Sequence, residues 1–131
     1  MHIKTSEQEP LKMGFGNYTC NWGLHIAGLY ETPEERDEIV FGFLRQGYYD
    51  GDLQLYCPVE RSKDNFKQAF SEFCPSCGIH SESSDSFAIL SAKEIYYPDG
   101  QFSPWSMDAN LRAFYDNSQK AGRRNVRATA E

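Results

Sequence analysis

What constrains this chain most is a strand-length apolar run that feeds, through a turn, into a helix with a strong start signal and then returns to a second apolar run. Residues 23–30 set Leu24, Ile26, Ala27 and Leu29 around a single His25 and end at Tyr30. After the helix comes Leu53, Gln54, Leu55 and Tyr56. Strand, helix, strand in that order is a βαβ unit, whose strands run parallel because the helix carries the chain back along the sheet.

Several features agree on that helix. Thr32 stands at the N-cap, Pro33 at the first helical position where its missing N–H is harmless, and Glu35 where a capping box wants a carboxylate. Five of the eight residues 31–38 are acidic and one is basic, so negative charge gathers at the helix end whose free N–H groups carry partial positive charge. Ile39, Val40, Phe43, Leu44 and Gly47 recur at three- and four-residue steps as one apolar stripe. Asp50 and Gly51 form the stop.

The same winding repeats. Ser62 caps a second helix with Phe66, Ala69, Phe70 and Phe73 on one stripe. Residues 87–90 form a continuous apolar run, as an interior parallel strand should. Ser103 and Pro104 open a third helix carrying Met107, Leu111, Phe114 and Tyr115, Gly122 closes it, and residues 124–129 make a last strand. The order predicts an α/β fold of βαβ units around a mostly parallel sheet, with helices as outer layers of a three-layer sandwich. Residues 1–19, with Gly14, Gly16 and Asn17 breaking any periodicity, read as an N-terminal arm. Residues 20–131 read as a single domain.

With 19 acidic and 13 basic residues the chain carries a formal charge of −6, which argues against a nucleic-acid surface over the domain as a whole. Lys120, Arg123, Arg124 and Arg127 form the one basic cluster, which is either a binding patch or a helix end that complements its dipole. No apolar run approaches the roughly 18 residues of a membrane helix, and the first residues lack a signal-peptide core. The expected compartment is the cytoplasm. There, four cysteines are thiols or metal ligands more readily than a disulfide framework.

Ligands of open α/β sheets bind outside the carboxyl ends of the strands. That topology draws Tyr30, Tyr56, Cys57 and Glu60 toward any pocket. Trp22, just before or within the first strand, either lines its edge or belongs to the core. His25 falls on a strand face expected to be buried, where it needs a hydrogen-bond partner or loses its charge. It is either a satisfied core histidine or a ligand-contacting group. Cys74, Pro75, Ser76 and Cys77, with Gly78 after them, have the spacing of half a zinc knuckle, with His80 as a third ligand. Zinc, iron, a redox pair and two plain thiols at a helix end all remain open. No phosphate-binding Gly-x-x-x-x-Gly-Lys loop, no Gly-x-Gly-x-x-Gly and no nucleophile elbow is present, which speaks against nucleotide hydrolysis and serine-hydrolase chemistry.

One further pattern carries a family likeness. His25 and Ile26, Leu29 and Tyr30, then Glu34, Glu35 and Arg36, Phe43, Leu44, Gly47, Asp52, Leu55 and Tyr56 resemble in order the opening of the MEDS domain, the sensory domain of methanogen and methylotroph regulators. Tyr96, Tyr97, Gly100, Gln101, Phe102, Met107 and residues 121–127 continue the likeness, which spans roughly residues 22–127. The resemblance implies a RecA- or KaiC-like fold without the Walker A loop. It also implies a sensor of simple hydrocarbon derivatives with a transcription-factor or kinase output. Within it, His25 and Tyr30 match characteristic positions, and Asp52 stands where the family usually has Glu. The Cys74 to Cys77 segment is not a family hallmark. The family usually continues with more sheet and an output domain, so a truncated or solitary sensor, completed by a homodimer, is expected.

The sequence thus points to a non-catalytic cytoplasmic sensor that binds a small organic ligand through His25, Tyr30, Tyr56, Cys57, Trp22 and Glu60. It would signal to a kinase or a DNA-binding protein without touching nucleic acid or membrane itself. The alternative is a zinc, iron or thiol-redox sensor built on Cys74, Cys77 and His80.

Overall fold

A computed structural model describes residues 9–77, 87–97, 99–120, 122 and 125–131. The chain forms two compact units, Met1–Gln46 and Gly47–Glu131.

In the first unit, β1 (Leu11–Lys12) and β2 (Thr19–Cys20) pair antiparallel, with Leu11 opposite Cys20. This hairpin lies in the segment read from sequence as an arm. Its apolar content was visible in Leu11 and Met13, both buried, but two-residue strands are too short to show a period. Gly14 adopts φ +87°, and a Cβ on it would collide with the carbonyl of Gly42, so the turn approaches the helix backbone as only glycine can. That helix, α1 (Pro33–Asp50), starts as its sequence dictates. The Glu35 N–H donates to Thr32 Oγ1 at 3.1 Å, while Glu35 Oε2 accepts the Glu31 N–H at 2.9 Å. Val40, Phe41 and Leu44 are buried.

The expected first strand does not form. Residues 24–30 lie outside both sheets, and Leu24, Ile26 and Leu29 are exposed, Leu29 at 91%. An apolar run is stable as a strand only when neighbouring strands accept its N–H and C=O groups and cover its side chains. Two glycines in the run, Gly23 and Gly28, further weaken its extended preference.

The second unit is a three-stranded parallel sheet in the order β4-β3-β5: β3 (Leu53–Cys57) at the centre, β4 (Phe87–Ile89) and β5 (Val126–Ala130) on its flanks. Every residue of β3 is buried, as a central strand covered on both faces requires. Gln54 pairs with Phe87 on one side and Arg127 on the other, and Tyr56 with Ile89 and Thr129, so these six share one face. On that face lies α2 (Lys63–Phe73). Phe66 stacks on Tyr56 with centroids 4.1 Å apart and on Phe70 at 5.6 Å, with Phe87 within 6.3 Å of both. The Ser62 hydroxyl caps α2 by accepting the Asn65 N–H at 3.1 Å.

Between β4 and β5 the chain makes α3 (Ala92–Tyr96), opened by a Ser91/Glu94 capping box, and α4 (Pro104–Lys120), whose Ser106 N–H donates to Ser103 Oγ at 3.3 Å. At the amino end of the sheet, buried Arg127 donates to Asp52 Oδ2 at 2.6 Å and to Asp50 Oδ2 at 3.0 Å. The architecture is mixed α/β with a parallel sheet.

Candidate functional site

The strand order locates the site. From β3 the chain crosses by α2 to β4 on one side, then passes back to β5 on the other, so the winding reverses direction at β3. In open α/β sheets such a reversal leaves a crevice at the carboxyl ends of the two strands that flank it. Here those ends are Tyr56 and Cys57 of β3 and Ala130 of β5, followed by Glu131.

The Glu131 carboxylate fills this place. Oε1 accepts from the Tyr56 hydroxyl and from Arg61 Nε at 2.8 Å, with Arg61 Nη2 at an ion-pair distance of 2.7 Å; Oε2 accepts the Val59 N–H at 3.3 Å. Arg61 Nε also reaches the Tyr56 oxygen at 3.0 Å. The Glu131 N–H donates to the Cys57 carbonyl at 3.2 Å, which continues the β3–β5 ladder by one residue and aims the side chain. Only 6% of the Arg61 side chain and 2% of the Glu131 side chain reach solvent. The guanidinium lies 5.4 Å from the Phe66 ring centre and 5.7 Å from that of Tyr56, both cation–π distances.

The electrostatics follow from this packing. Burial opposes ionisation of Glu131, but the Tyr56 hydrogen bond, the Arg61 charge and the Val59 N–H outweigh it and hold the carboxyl below its ordinary value. Burial, with Glu131 as acceptor, pushes the Tyr56 phenol far above its ordinary range, against the opposing pull of Arg61. Burial, then the negative charges of Glu131 and Glu94, push the Cys57 thiol up as well. Tyr56 and Cys57 therefore stay protonated near neutrality. A thiol pushed up in this way is disfavoured as the thiolate that nucleophilic chemistry needs.

A second feature opens at the same end of the sheet. An open groove of about 460 Å³ is lined by Lys63, Ser91, Lys93, Glu94, Tyr97 and Gly100. Lys63, at the start of α2, pairs with Glu94 Oε2 of α3 at 2.7 Å. That bond, with the N–H and the hydroxyl of Ser91, lowers the Glu94 carboxyl below its ordinary value against a burial penalty.

The residues singled out from sequence divide accordingly. Tyr56 and Cys57 are buried at the carboxyl end of β3, and Glu60 is exposed in the loop that follows them. Trp22, His25 and Tyr30 belong to the first unit. There His25 and Tyr30 are exposed, and the half-buried Trp22 donates its indole N–H to the Glu9 carbonyl at 2.8 Å. Cys74 and Cys77 are joined in a disulfide, both 3% exposed, with Cα atoms 5.5 Å apart. In this form neither sulfur is a thiolate that could ligate a metal. The Tyr49 hydroxyl reaches Ser76 Oγ at 3.2 Å beside them. His80 lies outside the described residues, and among those described no group of three His, Cys, Asp or Glu side chains is arranged to hold a metal.

Arg61 and Glu131 are the members that sequence reasoning passed over. The signal for Arg61 was its place one loop beyond a buried strand; nothing local marked Glu131, whose role exists only once β5 lies beside β3.

A parallel sheet with crossover helices, a direction reversal at its central strand and a polar cluster at the carboxyl end defines an α/β domain of the open, wound type. Residues 24–131 match the family model MEDS, the methanogen/methylotroph, DcmR sensory domain, and the chain belongs to that family. No curated protein and no solved structure matches it. Among the described residues no helix is long and apolar enough to cross a membrane.

Proposed function

We propose that this chain is a non-catalytic sensor that binds a small organic molecule at the carboxyl end of its parallel sheet and passes occupancy to a transcriptional or kinase output. The observation that carries the reading is the open groove bounded by Lys63, Ser91, Lys93, Glu94, Tyr97 and Gly100 at the end of the sheet where wound α/β folds take ligands. Membership in a sensory-domain family supports it, as do protonated Tyr56 and Cys57, which leave no activated nucleophile in the crevice. The three-layer arrangement belongs to the same reading: right-handed crossovers in opposite directions put α2 on one face and α3 with α4 on the other.

The test is titration with small alcohols, thiols and halocarbons, followed by melting temperature and amide resonances. Shifts at Ser91, Glu94 and Gly100 are expected. A panel that moves neither observable in the whole chain would retire the reading for those ligands, and His25→Ala and Tyr30→Phe would show whether the first unit takes part.

A second reading, thiol-redox sensing, is favoured over zinc or iron binding by the Cys74–Cys77 disulfide. Metal analysis of reduced protein separates the two, since a bound metal that leaves on oxidation would restore the metal reading.

A further inference from the structure

At the switch point, three hydrogen-bond donors and one further ion-pair contact converge on one carboxylate. The Tyr56 hydroxyl, Arg61 Nε and Nη2 and the Val59 N–H surround the side chain of Glu131 on an otherwise apolar floor of Tyr56 and Phe66. Donors so arranged, with a guanidinium at cation–π distance from two rings, suit a carboxylate. Beside it, Thr129 Oγ1 is buried with no hydrogen-bond partner among the described residues, on the same sheet face as Tyr56. An unsatisfied buried hydroxyl is a donor still lacking an acceptor.

We infer that Tyr56, Val59 and Arg61 form a carboxylate-binding site in which Glu131 is an internal ligand, and that the exchanging ligand is a short-chain organic carboxylate. This rests on the sensor reading and gives its ligand a chemical class: a hydrocarbon body with one charged end. The incoming carboxylate takes over the contacts of Arg61, Tyr56 and the Val59 N–H, and Glu131 turns out to water. No bond is made or broken, and the Tyr56 proton stays on its oxygen. Because one anion replaces another, the buried Arg61 is never left unpaired, which is what makes the exchange energetically feasible. The ladder residue that carries Glu131 then loses its tie to the loop after β3, and that displacement is the signal.

The probes are acetate and propionate, with chloride at equal ionic strength as control, titrated into the whole chain and into Glu131→Ala. The readouts are the Arg61 Nε–H and Val59 N–H resonances. An internal ligand lowers apparent affinity by the fraction of time its receptor is closed, so Glu131→Ala should bind acetate at least about tenfold tighter than the unaltered chain. Both should show saturable shifts at Arg61 and Val59, and Arg61→Gln should abolish the shift at the Val59 N–H. If Glu131→Ala does not fold, saturation of the two resonances in the unaltered chain decides by itself. Shifts no larger than those with chloride overturn the inference, as does binding that survives Arg61→Gln or occurs only in Glu131→Ala. Neutral alcohols that move Ser91 and Glu94 while acetate leaves Arg61 unmoved would remove the carboxylate class and leave the sensor reading standing. No response of the unaltered chain to either kind of compound would overturn the inference and retire the sensor reading for both classes.

Discussion

Arg127 Nε donates to Asp52 Oδ2 at 2.6 Å across 75 residues of sequence, with Arg127 1% and Asp52 3% exposed. The pair ties the start of β3 to the start of β5, at the opposite end of the sheet from the Glu131 cluster. A buried ion pair contributes little over a well-packed apolar pair, yet removing one partner strands the other charge. Arg127→Ala should therefore lower unfolding free energy by about 3–5 kcal/mol in urea titrations. Asp50→Asn removes a partner whose side chain is 35% exposed, and should change stability by less than about 1 kcal/mol. Equal effects from the two variants would show that Asp50, not Asp52, holds the guanidinium.

Gly47 shows how closely α1 ends against that pair. A Cβ there would come within 2.7 Å of Arg127 Cδ and of Gln54 Cδ, both on buried side chains with no room to retreat. Gly47→Ala should cost about 1–3 kcal/mol by overpacking, in spite of alanine's better helix propensity. A stabilised variant in thermal melts would contradict the packing.

Stability should fall in acid for a definable reason. Glu131 and Glu94 both have folded-state carboxyls below the ordinary value of 4.5, so each favours folding above that value. The contribution is lost as pH drops below 4.5 through the lower folded values. Melting temperature should be level above pH 5 or so and decline below it. Glu131→Gln should flatten the decline more than Glu94→Gln, because Glu94 is half exposed and screened by water.

The cysteines should separate into three kinds. Cys74 and Cys77 are bonded, Cys20 is half-buried, and Cys57 is buried with its thiol pushed up. Alkylation of the native protein should label Cys20 faster than Cys57. Denaturation without reductant should expose two thiols, and denaturation with reductant four. Four thiols without reductant would remove the redox reading; Cys57 reacting faster than Cys20 would point to nucleophilic chemistry at the end of β3.

How much of this was legible beforehand depends on the range of the interaction. The N-caps Thr32, Ser62 and Ser103 and the Phe66/Phe70 stripe stand where spacing puts them, because a cap or a helix face is decided within one or two turns. Ser91 with Glu94 is an equally local capping box, legible in the same way, and it opens a helix of only five residues, too short to show a period of its own. Residues 24–30 went the other way. Their pattern matched a strand, but a strand also needs a partner edge, and no partner is written in the segment itself.

The sequence alone determined α1, α2 and α4, the three runs that became β3, β4 and β5, and the parallel winding that a strand–helix–strand order enforces, since these follow from hydrogen bonds and side-chain periods along a short stretch of chain. Only the tertiary structure decided the order β4-β3-β5. That order turned Asp52 and Arg127 into a buried pair and set the Glu131 carboxylate among Tyr56, Val59 and Arg61. The reason is that a buried charge is stable only beside its counter-charge, and which residues meet across 70 or more positions depends on strand neighbours that no local pattern specifies.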